Sequence, residues 1–376
     1  YYQNTQLQEN FFALAKEKEN LYQLAYSLGY RPRATNTSTV EIELFQLVPS
    51  KPSDDHNPDM DYGLEIKAGS EFLSSEGPSF ISEKDINFRV DSEFEPLEVS
   101  VYQIDSTTNK PEYYLLKKKV KASSGIFKTQ TFDVNEFNKF LTLDLVAPNI
   151  IGIEEIRDTD NNTYHEVPYL AQDMVFDAVE NIASNDPELY GFNSQTPYLL
   201  KVKRVPRRFV TRLLSDNTLQ IQFGAGENSV VDEEIIPNPD NIGLGIKDGR
   251  SKLDFAYDPS NFLYTGTYGT VPVNTELTVK YRVNPDGISA NVSAGTINQL
   301  GELRIENKPG LSNAVLEYVF QSLSVNNEAA ATGAGSGDTI EEIRQNAMAA
   351  FTSQNRTVTK EDYLVRTLSM PPKFGR

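Results

Sequence analysis

The sequence has no cysteine. Disulfides, thiolate nucleophiles and cysteine-ligated zinc are therefore excluded. Only two histidines occur, His56 and His165, far apart in sequence and each in a polar turn context. No apolar run approaches the ~20 residues that a membrane-spanning helix needs. Positive charge is scarce: 35 Lys and Arg stand against 53 Asp and Glu, for a formal net charge of −18. That balance repels phosphate backbones and anionic lipid, so neither nucleic-acid binding nor membrane insertion is expected. Several catalytic signatures are missing as well. There is no Gly-x-Ser-x-Gly elbow. Gly333–Gly337 is followed by Asp338 rather than by the Lys of a phosphate-binding loop. Gly224-x-Gly226 meets Ser229 where a dinucleotide fingerprint has its third glycine. No cofactor and no metal are expected, and an enzyme is not the favoured reading. The 53 acids do leave open a carboxylate pair for glycoside hydrolysis.

What is present is an ordinary apolar share, 39% of 376 residues, enough for one large domain or two to three smaller ones. The 19 tyrosines and 20 phenylalanines read as core and interface material. The chain opens on Tyr1 rather than Met, shows no signal peptide and stops at Arg376, which reads as a fragment trimmed at both ends. Residues 1–28 read as one long helix. Leu7, Leu14, Leu21 and Leu28 fall seven apart, and Phe11, Ala15, Leu24 and Ala25 widen the stripe. Gly29 and Pro32 close it. Such a helix lies along its own domain or enters a bundle with other chains, and its polar first half suits the bundle.

Strands dominate the middle. Val40, Ile42 and Leu44 alternate with Glu41 and Glu43, and Leu97, Val99 and Val101 alternate in the same way. The loop holding Asp54, Asp55 and His56 reads as solvated rather than metal-binding. Lys117, Lys118, Lys119 and Lys121 form the one basic cluster, preceded by Tyr113 and Tyr114. It reads as a solvated edge strand whose lysines discourage pairing. Asp158-Thr-Asp160-Asn-Asn162 fails as a calcium loop, because Thr163 and Tyr169 stand where Gly and Glu are required. It reads instead as a turn between strands. Leu277, Val279, Tyr281 and Val283 face one way along the cleanest strand, which ends at the turn Asn284-Pro285-Asp286-Gly287.

The C-terminal stretch reads as a glycine-rich mobile linker, residues 326–337, followed by two capped helices. Asp338 with Glu341, and Thr359 with Asp362, are spaced as capping boxes. Ile340, Ile343, Ala347, Ala350 and Phe351 line one helix face, and Tyr363, Leu364 and Leu368 the next. Pro371 and Pro372 end the second helix. The pair either packs on its own domain or meets a partner.

The order Asp338-Thr-Ile-Glu-Glu-Ile-Arg344, Asn355-Arg356-Thr357-Val358-Thr359 and Glu361-Asp362-Tyr363 is more particular than a helical hairpin needs. It resembles the signature of the baseplate J-like family, the wedge proteins of contractile phage tails and related injection machines. Ile66-Lys67-Ala68-Gly69, Phe223-Gly224-Ala225-Gly226 and Tyr281-Arg282 followed by Asn291-Val292-Ser293-Ala294-Gly295-Thr296-Ile297 resemble it as well. Ala225 stands where that family has an acid. The resemblance implies a structural protein that pairs with itself, binds other wedge proteins through a helical bundle and rings a hub to help trigger sheath contraction. Its implied place is the virion tail, after assembly in the host cytoplasm. The expected fold is α+β: a long N-terminal helix (1–34), two β-rich domains (35–205 and 206–325), then the linker and a C-terminal helical dimerisation region (326–376). The expected interface residues are Phe11, Leu14, Leu21, Leu24, Leu28, Ile340, Ile343, Phe351, Tyr363 and Leu364. A tail-associated glycan-binding module or hydrolase, and a surface adhesin of stacked β-domains, stand as alternatives.

Overall fold

The computed structural model describes residues 9–51, 56–92, 95–193, 195–226, 268–307, 310–353 and 356–368. Leu7, Asp54, Asp55, Ser229, Asn355, Pro371 and Pro372 lie outside the described residues, as does the side chain of Leu368. Among the described residues the fold is β-rich, 40% strand and 18% helix, with nearly closed, barrel-like sheets and four short helices. The helices are α1 (Lys18–Ser27), α2 (Asn313–Ser322), α3 (Ile340–Ser353) and α4 (Lys360–Leu368).

This corrects the α+β expectation, above all the long N-terminal helix. The chain turns between Asn10 and Glu17, and α1 covers only 10 residues. The cause is Glu9. Its carboxylate accepts from the Lys16 and Glu17 amides, 3.1 Å each, at the point where α1 begins. Those bonds hold the carboxyl below its ordinary pKa, the Lys16 amide contributing most. Leucine spacing described the seam of a straight rod, but the Glu9 carboxylate folds back on the chain and holds a turn just before a shorter helix. Gly29, at φ +86°, closes α1 in the left-handed conformation that glycine adopts freely.

In the first sheet, Thr39–Pro49 pairs along its whole length with residues 113–123 of the strand Pro111–Ser124. Its other edge is shared by Leu97–Ile104 and Ser79–Ser82. Glu71–Ser74 and Ile297–Leu300 continue one side, and Ser324–Asn326 ends the other. The two end strands are tied by Asn327, fully buried, whose Oδ1 accepts from the Ile297 amide at 2.8 Å. Val40, Ile42, Leu44, Phe72, Phe80, Phe88 and Leu116 fill this barrel.

The lysine cluster is therefore not on an edge. Lys117 and Lys119 reach the Glu43 carboxylate at 2.8 and 3.0 Å, and Glu43 is 3% exposed. Lys118 points the other way, into the barrel, and donates to the Asn87 carbonyl at 2.7 Å. The partner strand lies some seventy positions earlier in the chain, so local charge alone misplaced it.

The second sheet runs Thr142–Val146, Thr218–Phe223, Arg208–Leu213, Thr163–Glu166, Ile150–Arg157, Thr275–Val283, Ile126–Val134. One pairing, Thr163–Glu166 with Arg208–Leu213, is parallel. The two end strands are consecutive in the chain, which is why the sheet curls toward closure. It draws strands from both sides of the border expected at residue 205. Gly125 is the joint between the barrels, because the strand leaving the first enters the second there. At φ +140° it occupies a conformation closed to most side chains, and an added Cβ would lie 2.9 Å from Arg282 Nε. Arg282 is buried beside it. Its guanidinium donates to the Ser123 carbonyl, to Ser123 Oγ at 2.9 Å and to the Ser124 carbonyl at 3.0 Å. Burial lowers its pKa to about 10.

The glycine-rich stretch is laid down rather than free. Thr332 bridges to Thr39, and Gly335–Ser336 pairs with Thr35–Asn36.

Candidate functional site

The two ends of the chain clasp each other. Leu21, Tyr22 and Ala25 of α1 share one buried cluster with Ile343, Ala347 and Ala350 of α3 and with the second sheet. Asp338, expected as a helix cap, serves the clasp instead. Its carboxylate accepts from the Tyr30 hydroxyl at 2.6 Å and from the Arg33 amide at 3.0 Å. Burial, and then the charge of Asp338, push the Tyr30 hydroxyl well above its ordinary pKa. Asn346 donates to the same hydroxyl at 3.1 Å, and Arg344 donates to the Ala15 carbonyl at 2.5 Å. The capping box of α3 sits one residue later than expected. Thr339 accepts from the Glu342 amide at 3.3 Å, while the Glu342 carboxylate accepts from the Thr339 amide at 2.8 Å. The box expected on α4 forms, with Asp362 accepting from the Thr359 amide at 2.9 Å. Arg366 of α4 donates to Ser353 of α3 at 3.0 Å, which leans the second helix on the first.

The ten expected interface residues divide in two. Leu21 and Ile343 are fully buried in the chain's own core, and Leu24 and Leu28 pack against it. Phe11, Leu14, Ile340, Phe351, Tyr363 and Leu364 are exposed. Met348 and Val358, which the pattern did not single out, join them. Tyr363 and Leu364 are each about 60% exposed, uncovered among the described residues.

A second region was missed. Met174–Glu180 and Tyr198–Arg204 form a two-stranded antiparallel ribbon with no third strand among the described residues. Alternation in Met174, Phe176, Ala178 and in Tyr198, Leu200, Val202 was the available signal.

Among the described residues no three His, Asp or Glu side chains gather as metal ligands. An open depression beside the strand Ile126–Val134 holds Asp133 and Glu136, with Leu141 and Leu143 on its wall. His165 sits on the second sheet, its pKa lowered by burial and by Lys203. No helix among the described residues is long and apolar enough to cross a membrane.

No family model matches the chain, and no curated protein matches it. Among solved structures it is similar to a chain of the type VI secretion system TssK-TssF-TssG baseplate subcomplex, with a TM-score of 0.30 and 7% identity, over 100% of this chain and 80% of that one. The resemblance to the baseplate J-like family therefore rests on the motifs in the sequence.

Proposed function

We propose that this chain is a structural subunit of a contractile-tail baseplate, of the wedge kind, working by assembly and not by turning over a substrate. The observation that carries the reading is the apolar row on the clasped terminal helices. Phe351, Tyr363 and Leu364 stay in solvent although the same helices bury Ile343, Ala347 and Ala350. The motifs at Asp338–Arg344 and Glu361–Tyr363, which resemble the J-like signature, lie on those very helices. The row meets other baseplate proteins or a second copy, as a helical bundle does. In the assembled tail such subunits ring the hub and help to trigger sheath contraction. The place of action is then the virion tail, after assembly in the host cytoplasm.

The test replaces Tyr363 and Leu364 by Glu together. Both are exposed, so the isolated chain keeps its melting profile by circular dichroism. Negative-stain imaging of the variant mixed with contractile-tail components shows it missing from particles that take up the unaltered chain. Uptake equal to that of the unaltered chain sinks the reading.

A further inference from the structure

The ribbon Met174–Glu180 and Tyr198–Arg204 carries a bare apolar face with an acidic margin. In a strand, successive side chains point to opposite faces. Val175, Val179 and Leu199 point inward and are half-buried, and Val175 packs on Val167, Val205 and Val210. By register, Asp177, Lys201 and Lys203 share that inner side, where Lys201 Nζ donates to the Asn185 carbonyl at 2.7 Å. The outer face presents two rows, Met174, Phe176 and Ala178 beside Val202, Leu200 and Tyr198, all exposed. Phe176 is 74% and Leu200 72% exposed. A two-stranded ribbon is marginal alone, and gains independent stability from a third strand or from a helix packed against it.

The dimensions of the face select the helix. Two strands about 4.8 Å apart span, with their side chains, about the 10 Å diameter of one α-helix. The outgoing strand has 7 residues. At about 3.3 Å each they make the face roughly 23 Å long, the length of a helix of about 15 residues.

Charge selects the kind of helix. Arg204 is matched by Asp173 at 3.9 Å. At the other end, burial, then Glu95, Glu180 and Asp85, hold the Tyr198 hydroxyl above its ordinary pKa, while Lys67 acts the other way. Those acids therefore lie beside that end of the face. Glu95 has Lys118 at 3.9 Å, and Asp85 shares Lys67 with Glu65 and Glu306. Each base on this margin is thus matched or outnumbered. Glu180, and Glu188 in the tip, have no ion-pair partner among the described residues. The margin is acidic in a chain of net charge −18. A second copy brings the same acids and is repelled, whereas Lys and Arg beside an apolar stripe meet carboxylates at both ends.

We propose that the outer face of the ribbon is a docking site for one amphipathic helix of another protein, apolar along one stripe and flanked by Lys and Arg. The site goes beyond the role proposed for the terminal helices, since it lies on a separate surface and takes a helix against a sheet.

Fluorescence anisotropy of a labelled synthetic peptide with the full chain tests it. The probe is a helix of about 15 residues with Leu at i, i+3, i+4 and i+7 and Lys on both flanks. The unaltered chain binds it saturably. The same Leu stripe flanked by Glu binds about tenfold more weakly or worse, as does the Lys-flanked probe on Leu200→Asp. The new Asp only adds attraction for lysine, so that loss reports the apolar contact and not general attraction to an acidic chain. Phe176→Ser is the second variant, used where Leu200→Asp shifts the melting profile. Val101→Asp, exposed on another strand, leaves binding unchanged. Absence of saturable binding overturns the proposal, and so does equal binding by the ribbon variants or by the Glu-flanked probe. Two rival occupants overturn it as well: self-association of the chain that Leu200→Asp abolishes, or flotation with phosphatidylcholine vesicles that it abolishes. The Tyr363 and Leu364 double variant binds the probe as the unaltered chain does, so failure here and failure of the baseplate reading are read separately.

Discussion

The strand pair Thr39–Pro49 with Pro111–Ser124 and the ribbon Met174–Glu180 with Tyr198–Arg204 are both antiparallel, yet they solve opposite problems. The first buries charge: Glu43, 3% exposed, lies between Lys117 and Lys119. The second exposes apolar side chains on one face, Phe176 and Leu200 above all. The first pair is enclosed on both edges and covered by α2 and the rest of the barrel, so even its ions are satisfied within the chain. The ribbon has no such cover. The difference separates side chains that the barrel spends on its own stability from those that the ribbon and the terminal helices leave outward.

Matched truncations give the sharpest contrast. Leu44→Ala empties a fully buried site and costs about 2–5 kcal/mol by denaturant unfolding. Leu200→Ala, on the ribbon, changes the stability of the dilute chain by about 0.5 kcal/mol or less. Equal losses would mean that the ribbon face is covered by its own chain. A smaller effect is expected at the joint that lets the enclosed pair lead into the second barrel. Gly125→Ala forces a side chain into a left-handed conformation beside Arg282 and costs about 1–3 kcal/mol by the same assay. An unchanged midpoint would show that the joint tolerates rearrangement.

The mildest probe is pH. Burial pushes the Glu43 carboxyl up, but Lys117 and Lys119 more than offset it and leave it below its ordinary 4.5. A carboxylate depressed in the folded state contributes stability above its unfolded pKa and loses it as pH falls through the folded value. Thermal melts should therefore drop as pH goes below 4.5, and Glu43→Gln should melt lower at neutral pH but flatten that acid limb. An acid limb of unchanged steepness would show that Glu43 is not among the groups that set it.

Much of the body was legible because its signals are local. The strand Thr275–Val283 buries Leu277, Val279, Tyr281 and Val283 as its alternation implies. The turn at Asp158–Asn162 forms between the strands expected, with Asp158 accepting from the Asn162 amide at 2.8 Å. The Thr359 and Asp362 box reads directly from spacing. What escaped depends on distant partners. Nothing near Lys118 announces a strand on each side of it. The leucine spacing of the first helix could not show that Glu9 would end the run, nor that Leu21 would be taken by α3. Of the expected interface residues, spacing could place the C-terminal ones on helices, but only the packed structure distinguishes Ile343, spent inside, from Tyr363 and Leu364, left outside. The ribbon was missed because its apolar alternation is short and its two halves are separated by seventeen residues of tip.

The clasp at Tyr30 and Asp338 also sets how the molecule carries force. A neighbour pulling on α1 and another pulling on α3 or α4 would load one small junction, Tyr30, Arg33 and Asn346 around a single carboxylate. Because α1 and α3 share the buried cluster of the second sheet, that sheet takes part of any such load, while the first sheet lies off the path.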